Sequence, residues 1–208
     1  TRRILGLTLG ALVTFGCVAE QNNRTTATLI GAGVGAMLGQ SMSKDKNKGA
    51  AVGAMVGMVA GNLYAEALEK QEKTLRTDLA GSGALIYNTG EQLIITLPEG
   101  ITFDTDSAVI KPQFFSYLNS LARNLVNHSS TTVDVIGHTD NTGTPDYNLD
   151  LSILRAEAVT SNLVALGIDG SRIRAHGVGE AYPIGDNSTN FGRLQNRRVE
   201  IYIIPMRG

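Results

Sequence analysis

The sequence predicts an α+β fold, with helices packed on one face of a mixed β-sheet over residues 83–208 and a glycine-zipper helical hairpin in front of it. Two observations carry this. Beyond residue 83, hydrophobic spacing alternates between a period of two and a period near 3.6, as strands and helices of one layered domain require. Between residues 29 and 63, glycine recurs at every fourth position in an otherwise apolar stretch, a pattern foreign to a soluble core.

Composition narrows the functional classes. Of the 208 residues, 18 are Lys or Arg and 19 are Asp or Glu, a formal charge of −1, so no basic footprint for nucleic acid exists over the whole chain. The single Cys rules out an internal disulfide and a multi-thiolate metal site. His128, His138 and His176 lack metal-ligand spacing, so no metal or other cofactor is expected, and His138 is expected to be a satisfied histidine beside a strand end.

Residues 1–16 read as a signal peptide. Arg2 and Arg3 precede an apolar run from Ile4 to Phe15, too short for a membrane-spanning helix of roughly 20 residues. Gly16-Cys17 then resembles the end of a bacterial lipobox, although Thr14 and Phe15 stand where that pattern has Leu and a small residue. The resemblance implies acylation of Cys17 and a lipidated tether over 17–28. Several acyl chains anchor stably where one is marginal. Val18, rather than Asp, after the Cys implies sorting to the outer membrane by resemblance to enterobacterial lipoproteins.

In the segment 29–63, Gly31, Gly35 and Gly39 form one arm, Gly49, Gly53, Gly57 and Gly61 the other, and Lys44-Asp45-Lys46-Asn47-Lys48 the charged hinge between them. A four-residue step keeps the glycines on one helix face, where backbones can approach closely. Each arm is about 14 residues, roughly 21 Å of helix against a hydrocarbon core of roughly 30 Å, which suits partial insertion or oligomerisation better than a double span. Residues 64–82 carry helix formers with Leu68, Leu75 and Leu79 on a narrow stripe and are expected to be a solvated linker helix that ends at Gly81-Ser82-Gly83.

Within 83–208, runs at 84–88 and 92–97 flank Thr89-Gly90 and predict a hairpin, closed by Pro98-Glu99-Gly100. Lys111-Pro112 begins a helix with Phe115, Leu118, Leu121, Ala122 and Leu125 at helical spacing. Residues 132–136 form a buried strand. Thr144 and Pro145 supply an N-cap and first-turn proline for a helix to Leu166, with Leu149, Ile153, Ala156, Val159 and Leu163 inward and Gly167 as the stop. Strands at 172–178 and 197–204 complete the sheet.

Three motifs stand in this frame: Val-Ile-Gly-His-Thr-Asp-Asn-Thr-Gly at 135–143, Tyr-Asn-Leu-Asp-Leu-Ser-Ile-Leu-Arg-Ala at 147–156, and Asn-Arg-Arg-Val-Glu-Ile at 196–201. With Phe103-Asp104 and Gly177-Val178-Gly179-Glu180, they resemble the OmpA-like peptidoglycan-binding domain. With the segments in front, the architecture resembles YiaD-type outer-membrane lipoproteins.

Asn148 and Arg155 lie two helical turns apart and share a face with Ser152, while Asp140 sits in the loop before that helix. A carboxylate at the loop and a guanidinium down the helix could hold opposite ends of a zwitterion, or simply form an ion pair that fastens loop to helix. The resemblance implies the former. The ligand is then the free end of diaminopimelate in the peptidoglycan stem peptide, with its ammonium on Asp140 and its carboxylate on paired donors of Arg155. Thr139 and Asn148 line the pocket and Arg197 completes the carboxylate site, while Arg198 is structural. The implied function is a non-catalytic tether between outer membrane and cell wall, with its C-terminal domain in the periplasm. The alternative is a membrane-active glycine-zipper homo-oligomer, a pore or platform, positioned by the wall-binding domain. A flagellar-stator role is disfavoured because no roughly 20-residue apolar helix with a functional Asp is present. Asp104 and Asp106 lack the partners that acid/base catalysis needs.

Overall fold

The computed structural model describes residues 65–206. The expected signal peptide, Cys17 and the glycine-zipper hairpin lie outside the described residues.

Five strands form one mixed sheet: β1 (Leu85–Asn88), β2 (Leu93–Pro98), β3 (Thr131–His138), β4 (Ile173–Gly177) and β5 (Arg198–Pro205). Their order is β1-β2-β5-β3-β4, with β3 and β4 parallel and the other pairs antiparallel. The helices are α1 (Ala65–Asp78), the one-turn α2 (Glu99–Thr102), α3 (Phe115–Asn127), α4 (Pro145–Ala165) and α5 (Asn190–Asn196).

The period-two pattern sorts the faces of the sheet. Leu93, Ile95 and Leu97, Val133 and Val135, and Val199, Ile201 and Ile203 meet the apolar stripes of α1, α3 and α4 in one core. The opposite face holds a smaller cluster of Ile94, Ile136 and Tyr202. Helices on one face of a mixed sheet are thus what the sequence predicts.

Four details differ from the sequence reading. Helix α1 is no solvated linker: Leu68, Leu75 and Leu79 are buried in the domain core, and Gln71 Nε2 donates to Asn124 Oδ1 of α3 at 2.9 Å. The narrow leucine stripe is its docking face. Phe114, not Phe115, points inward, because Pro112–Phe114 winds as a tighter 3₁₀ turn and advances the register before α3 begins. Helix α4 turns Asn148, Ser152 and Arg155 toward the sheet and leaves Leu149 42% exposed, so an apolar-inward rule misplaces its first two turns. Helix α5, capped by Thr189, was not anticipated, nor was the single turn of α2.

The polar face of α4 can turn inward because the sheet beneath it is bare. Gly137 and Gly177 are register partners on β3 and β4. A Cβ at Gly137 would collide with the carbonyl oxygen of Ser152 and lie 2.8 Å from its carbonyl carbon, and one at Gly177 would lie 2.5 Å from Ser152 Oγ. Two adjacent glycines therefore seat the helix, and Ser152 Oγ in turn accepts from Gly179 N at 2.9 Å.

Candidate functional site

The site forms where four segments converge: the end of β2, the loop after β3, the inward face of α4, and the junction of α5 with β5. After His138 the chain leaves the sheet, and Thr139 N donates to Gly179 O at 3.0 Å. Asp140 then closes an Asx turn, its Oδ1 accepting from Thr142 N at 2.8 Å. Gly143 takes a φ of 97°, which lets the chain reach the Thr144 cap and start α4. Arg197 is placed from the other side. Asn196 accepts from Ile184 N and Gly185 N, at 2.8 and 2.7 Å, and donates to Gly185 O and Asn187 Oδ1, fixing the end of α5 against the preceding loop.

Four charged groups alternate in a chain. Arg155 Nη2 donates to Glu99 Oε1, Arg197 Nε donates to Glu99 Oε2, and Arg197 Nη1 donates to Asp140 Oδ2. Arg155 is 1% exposed, its guanidinium 5.4 Å from the Phe103 ring centroid, with Nε donating to Ser107 O at 2.9 Å. Its Nη1 is buried without an acceptor, and the buried Thr139 hydroxyl likewise has no partner. Leaving such groups unpaired costs roughly 1–3 kcal/mol each, and buried orphans of this kind concentrate where a ligand or water completes the structure. The side chain of Arg197 is 25% exposed and faces solvent at the mouth of the group.

Burial raises the Asp140 carboxyl, but the Thr142 N–H and the Arg197 guanidinium more than offset it and hold the pKa below the usual aspartate value. The same ion pair has the converse effect on Arg197: burial lowers its pKa, and Asp140 and Glu99 together raise it. Both groups are therefore charged at neutral pH.

Of the residues singled out in the sequence, Asp140 and Arg197 touch directly, and Arg155 joins them through Glu99. Thr139 is buried beside Asp140, and Asn148 Nδ2 donates to Glu180 Oε2 at 2.6 Å. Two expectations need correction. Neither a direct Asp140–Arg155 ion pair nor a free paired edge of Arg155 exists, because Glu99 and Ser107 take Nη2 and Nε and only Nη1 remains. His138 is not satisfied: it is buried, neither ring nitrogen has a hydrogen-bond partner, and Nε2 lies 3.6 Å from Glu200 Oε2. Burial lowers its pKa.

Glu99 is the residue that sequence reasoning missed. It follows Pro98 and reads as turn punctuation, and only the pairing of Pro98 with Arg198 across β2 and β5 brings it to Arg197. Arg198 is structural, buried with Nε 2.7 Å from Glu200 Oε1 on the opposite face. Asp104 is exposed and pairs with Lys111 at 3.2 Å. Among the described residues, no group of His, Cys, Asp or Glu is placed to hold a metal ion.

The fold and these motifs define a class. Residues 102–197 match the OmpA family and residues 1–68 match the YMGG-like Gly-zipper. The chain belongs to the OmpA family. It is similar along nearly its whole length to the probable lipoprotein YiaD of Escherichia coli strain K12, at 39% identity over 212 residues, 98% of this chain and 97% of that protein. The C-terminal half is 41% identical over 103 residues to the peptidoglycan-binding protein ArfA of Mycobacterium tuberculosis, covering 50% of this chain and 32% of ArfA. Among solved structures, the cell wall anchor of the T6SS from Pseudomonas aeruginosa superposes with a TM-score of 0.59 at 29% identity, covering 65% of this chain and 96% of that one.

Proposed function

We propose that this chain is a non-catalytic outer-membrane lipoprotein that binds the diaminopimelate of peptidoglycan stem peptides and so ties the outer membrane to the cell wall. The observation that carries the reading is the buried alternation of two guanidinium and two carboxylate groups with one Arg155 nitrogen left without an acceptor. The free end of diaminopimelate bears an ammonium and a carboxylate on one carbon. Its ammonium takes the Asp140 oxygen that Arg197 now holds, and its carboxylate takes Arg197 together with Arg155 Nη1, with Thr139 and Asn148 lining the pocket. Charge-assisted hydrogen bonds contribute roughly 1.5–3 kcal/mol each, enough for modest affinity per stem. Many stems on one polymer, met by a protein held at the membrane through acylated Cys17, add avidity. The names of ArfA and of the cell wall anchor support wall binding, and that of YiaD supports the lipid anchor.

The test is co-sedimentation of the full chain with purified diaminopimelate-type sacculi. Wild type is compared with Asp140→Asn and Arg155→Lys, variants whose folding is checked by circular dichroism, and muropeptide release is scored in the same tubes. Binding lost in both folded variants, with no release, is the expected result. Undiminished binding would return these residues to a structural role, and released muropeptides would make the protein a hydrolase. Mass spectrometry of the mature N-terminus tests acylation of Cys17.

The match of residues 1–68 to the YMGG-like Gly-zipper favours a second reading, in which that segment oligomerises into a pore or platform and the wall domain positions it. Detergent-resistant oligomers that disappear with Gly35→Leu and Gly53→Leu would support it.

A further inference from the structure

We infer that Glu99 is a specificity-determining residue of this site: its carboxylate, bridging Arg155 and Arg197, brings the charge of the site to zero and so selects a ligand end bearing both an ammonium and a carboxylate over one bearing a carboxylate alone. The inference rests on the pocket reading given above.

The geometry leaves little freedom for Glu99 to do otherwise. Its backbone N donates to Arg197 O at 3.0 Å, and its carbonyl accepts from Phe103 N at 2.7 Å, so the residue is fixed at both ends of its peptide unit. Its side chain is 7% exposed, and its two carboxylate oxygens are each taken by a different arginine. A buried carboxylate in such a position is costly unless paired, and two guanidinium groups pair it.

The consequence is electrostatic. Arg155, Arg197 and Asp140 by themselves sum to one positive charge and would favour a simple anion. With Glu99 the four groups sum to zero, and Glu180, which accepts from Asn148 at 2.6 Å, adds a negative charge beside them. A carboxylate entering without an ammonium meets Arg155 Nη1 and an Arg197 already paired through Nε and Nη1, beside two resident carboxylates, Glu99 and Asp140. A zwitterion brings the cation that balances its own carboxylate. The bridge also takes Nη2 of Arg155 and the Ser107 carbonyl takes Nε, so the two-pronged grip that an arginine usually gives a carboxylate is spent within the protein. Discrimination therefore depends on the ligand's ammonium more than on its carboxylate. At an effective dielectric constant near 20, removal of one unit charge about 12 Å away shifts relative affinity by about tenfold, and a nearer charge shifts it by more.

The experiment uses the full chain in detergent micelles, with binding measured by calorimetry to three soluble probes: the tripeptide L-alanyl-γ-D-glutamyl-meso-diaminopimelate, the same tripeptide acetylated on the distal amine, and the same tripeptide amidated on the distal carboxyl. Wild type is expected to favour the unmodified probe over both modified ones by about tenfold or more. Glu99→Gln, nearly isosteric and uncharged, is expected to lower the preference over the acetylated probe by at least about tenfold, while Glu99→Asp retains it. A wild-type preference for the acetylated probe over the amidated one would indicate a net positive site and overturn the inference without any variant, whether or not Glu99→Gln folds. Wild-type binding that Asp140→Asn abolishes, combined with an unchanged probe ratio in folded Glu99→Gln, would overturn the role of Glu99 alone. Failure of wild type to bind any probe, with sacculus binding indifferent to Asp140→Asn, would remove the pocket reading and this inference with it.

Discussion

Replacing Gly137 with alanine should unseat the helix that carries Asn148 and Arg155. The added Cβ would collide with the Ser152 carbonyl oxygen and lie 2.8 Å from the carbonyl carbon, where ordinary contact begins at 3.4 Å, so strand and helix must part by at least about 0.6 Å. The obstructing atoms are backbone in the second turn of α4, so no rotamer change relieves the clash. Displacing α4 loosens the packing of Ala156, Val159 and Leu163 and lengthens the Gly179 N to Ser152 Oγ bond. Overpacking of a close-packed core costs roughly 1–3 kcal/mol, and a backbone clash belongs at the upper end, so a loss of about 3 kcal/mol is expected. Urea unfolding of the full chain measures it. Because Asn148 and Arg155 move with the helix, sacculus binding at low temperature, where the variant is still folded, should fall as well. A stability within about 0.5 kcal/mol of wild type would refute the reasoning, since it would mean that the helix is not seated on this glycine.

Three further outcomes are expected. Leu75→Ala, at a fully buried position of α1, should lower unfolding free energy by about 2–5 kcal/mol in the same urea assay, and a chain starting at residue 80 should be less stable still; a solvated linker helix would show neither effect. Arg172 donates to the carbonyls of Leu125 in the last turn of α3, His128 just after it and Thr131 at the start of β3, so Arg172→Ala should cost about 2 kcal/mol, read as a lowered melting temperature. Burial raises the Glu200 carboxyl, but the imidazole of His138, the Arg198 guanidinium and the Tyr202 hydroxyl outweigh it and hold its pKa at about 2, below the usual 4.5. A depressed folded-state pKa contributes stability that is present above the unfolded value and lost as pH falls through the folded one. Stability should therefore decline between pH 4.5 and 2 by on the order of 3 kcal/mol from this group, and Glu200→Gln should flatten that part of the profile in urea titrations at stepped pH.

Much of the fold is legible in one dimension because its cues are local. The alternation of Leu93, Ile95 and Leu97 against Ile94, the Thr144-Pro145 start of α4 and the helical spacing of Leu118, Leu121 and Leu125 each depend on a few neighbouring residues. The leucine stripe of α1 was equally visible, but its burial was not, because amphipathic spacing says that a face seeks a partner without saying which one. Asp140 and Arg155 could be singled out by motif and spacing.

The sequence by itself determined the sheet-and-helix class, the glycine-rich segment in front of it and three of the four charged residues at the site, Asp140, Arg155 and Arg197. The tertiary structure alone decided how those residues are wired. Glu99 lies 98 positions from Arg197 and 56 from Arg155; the antiparallel pairing of β2 with β5 brings it to Arg197, and the packing of α4 on the sheet brings it to Arg155. Likewise, Gly137 and Gly177 become a seat for α4 only when β3 and β4 pair in register. Ion pairing and close approach act over a few ångströms of space irrespective of chain distance, so partners brought together by sheet register leave no local pattern in the sequence.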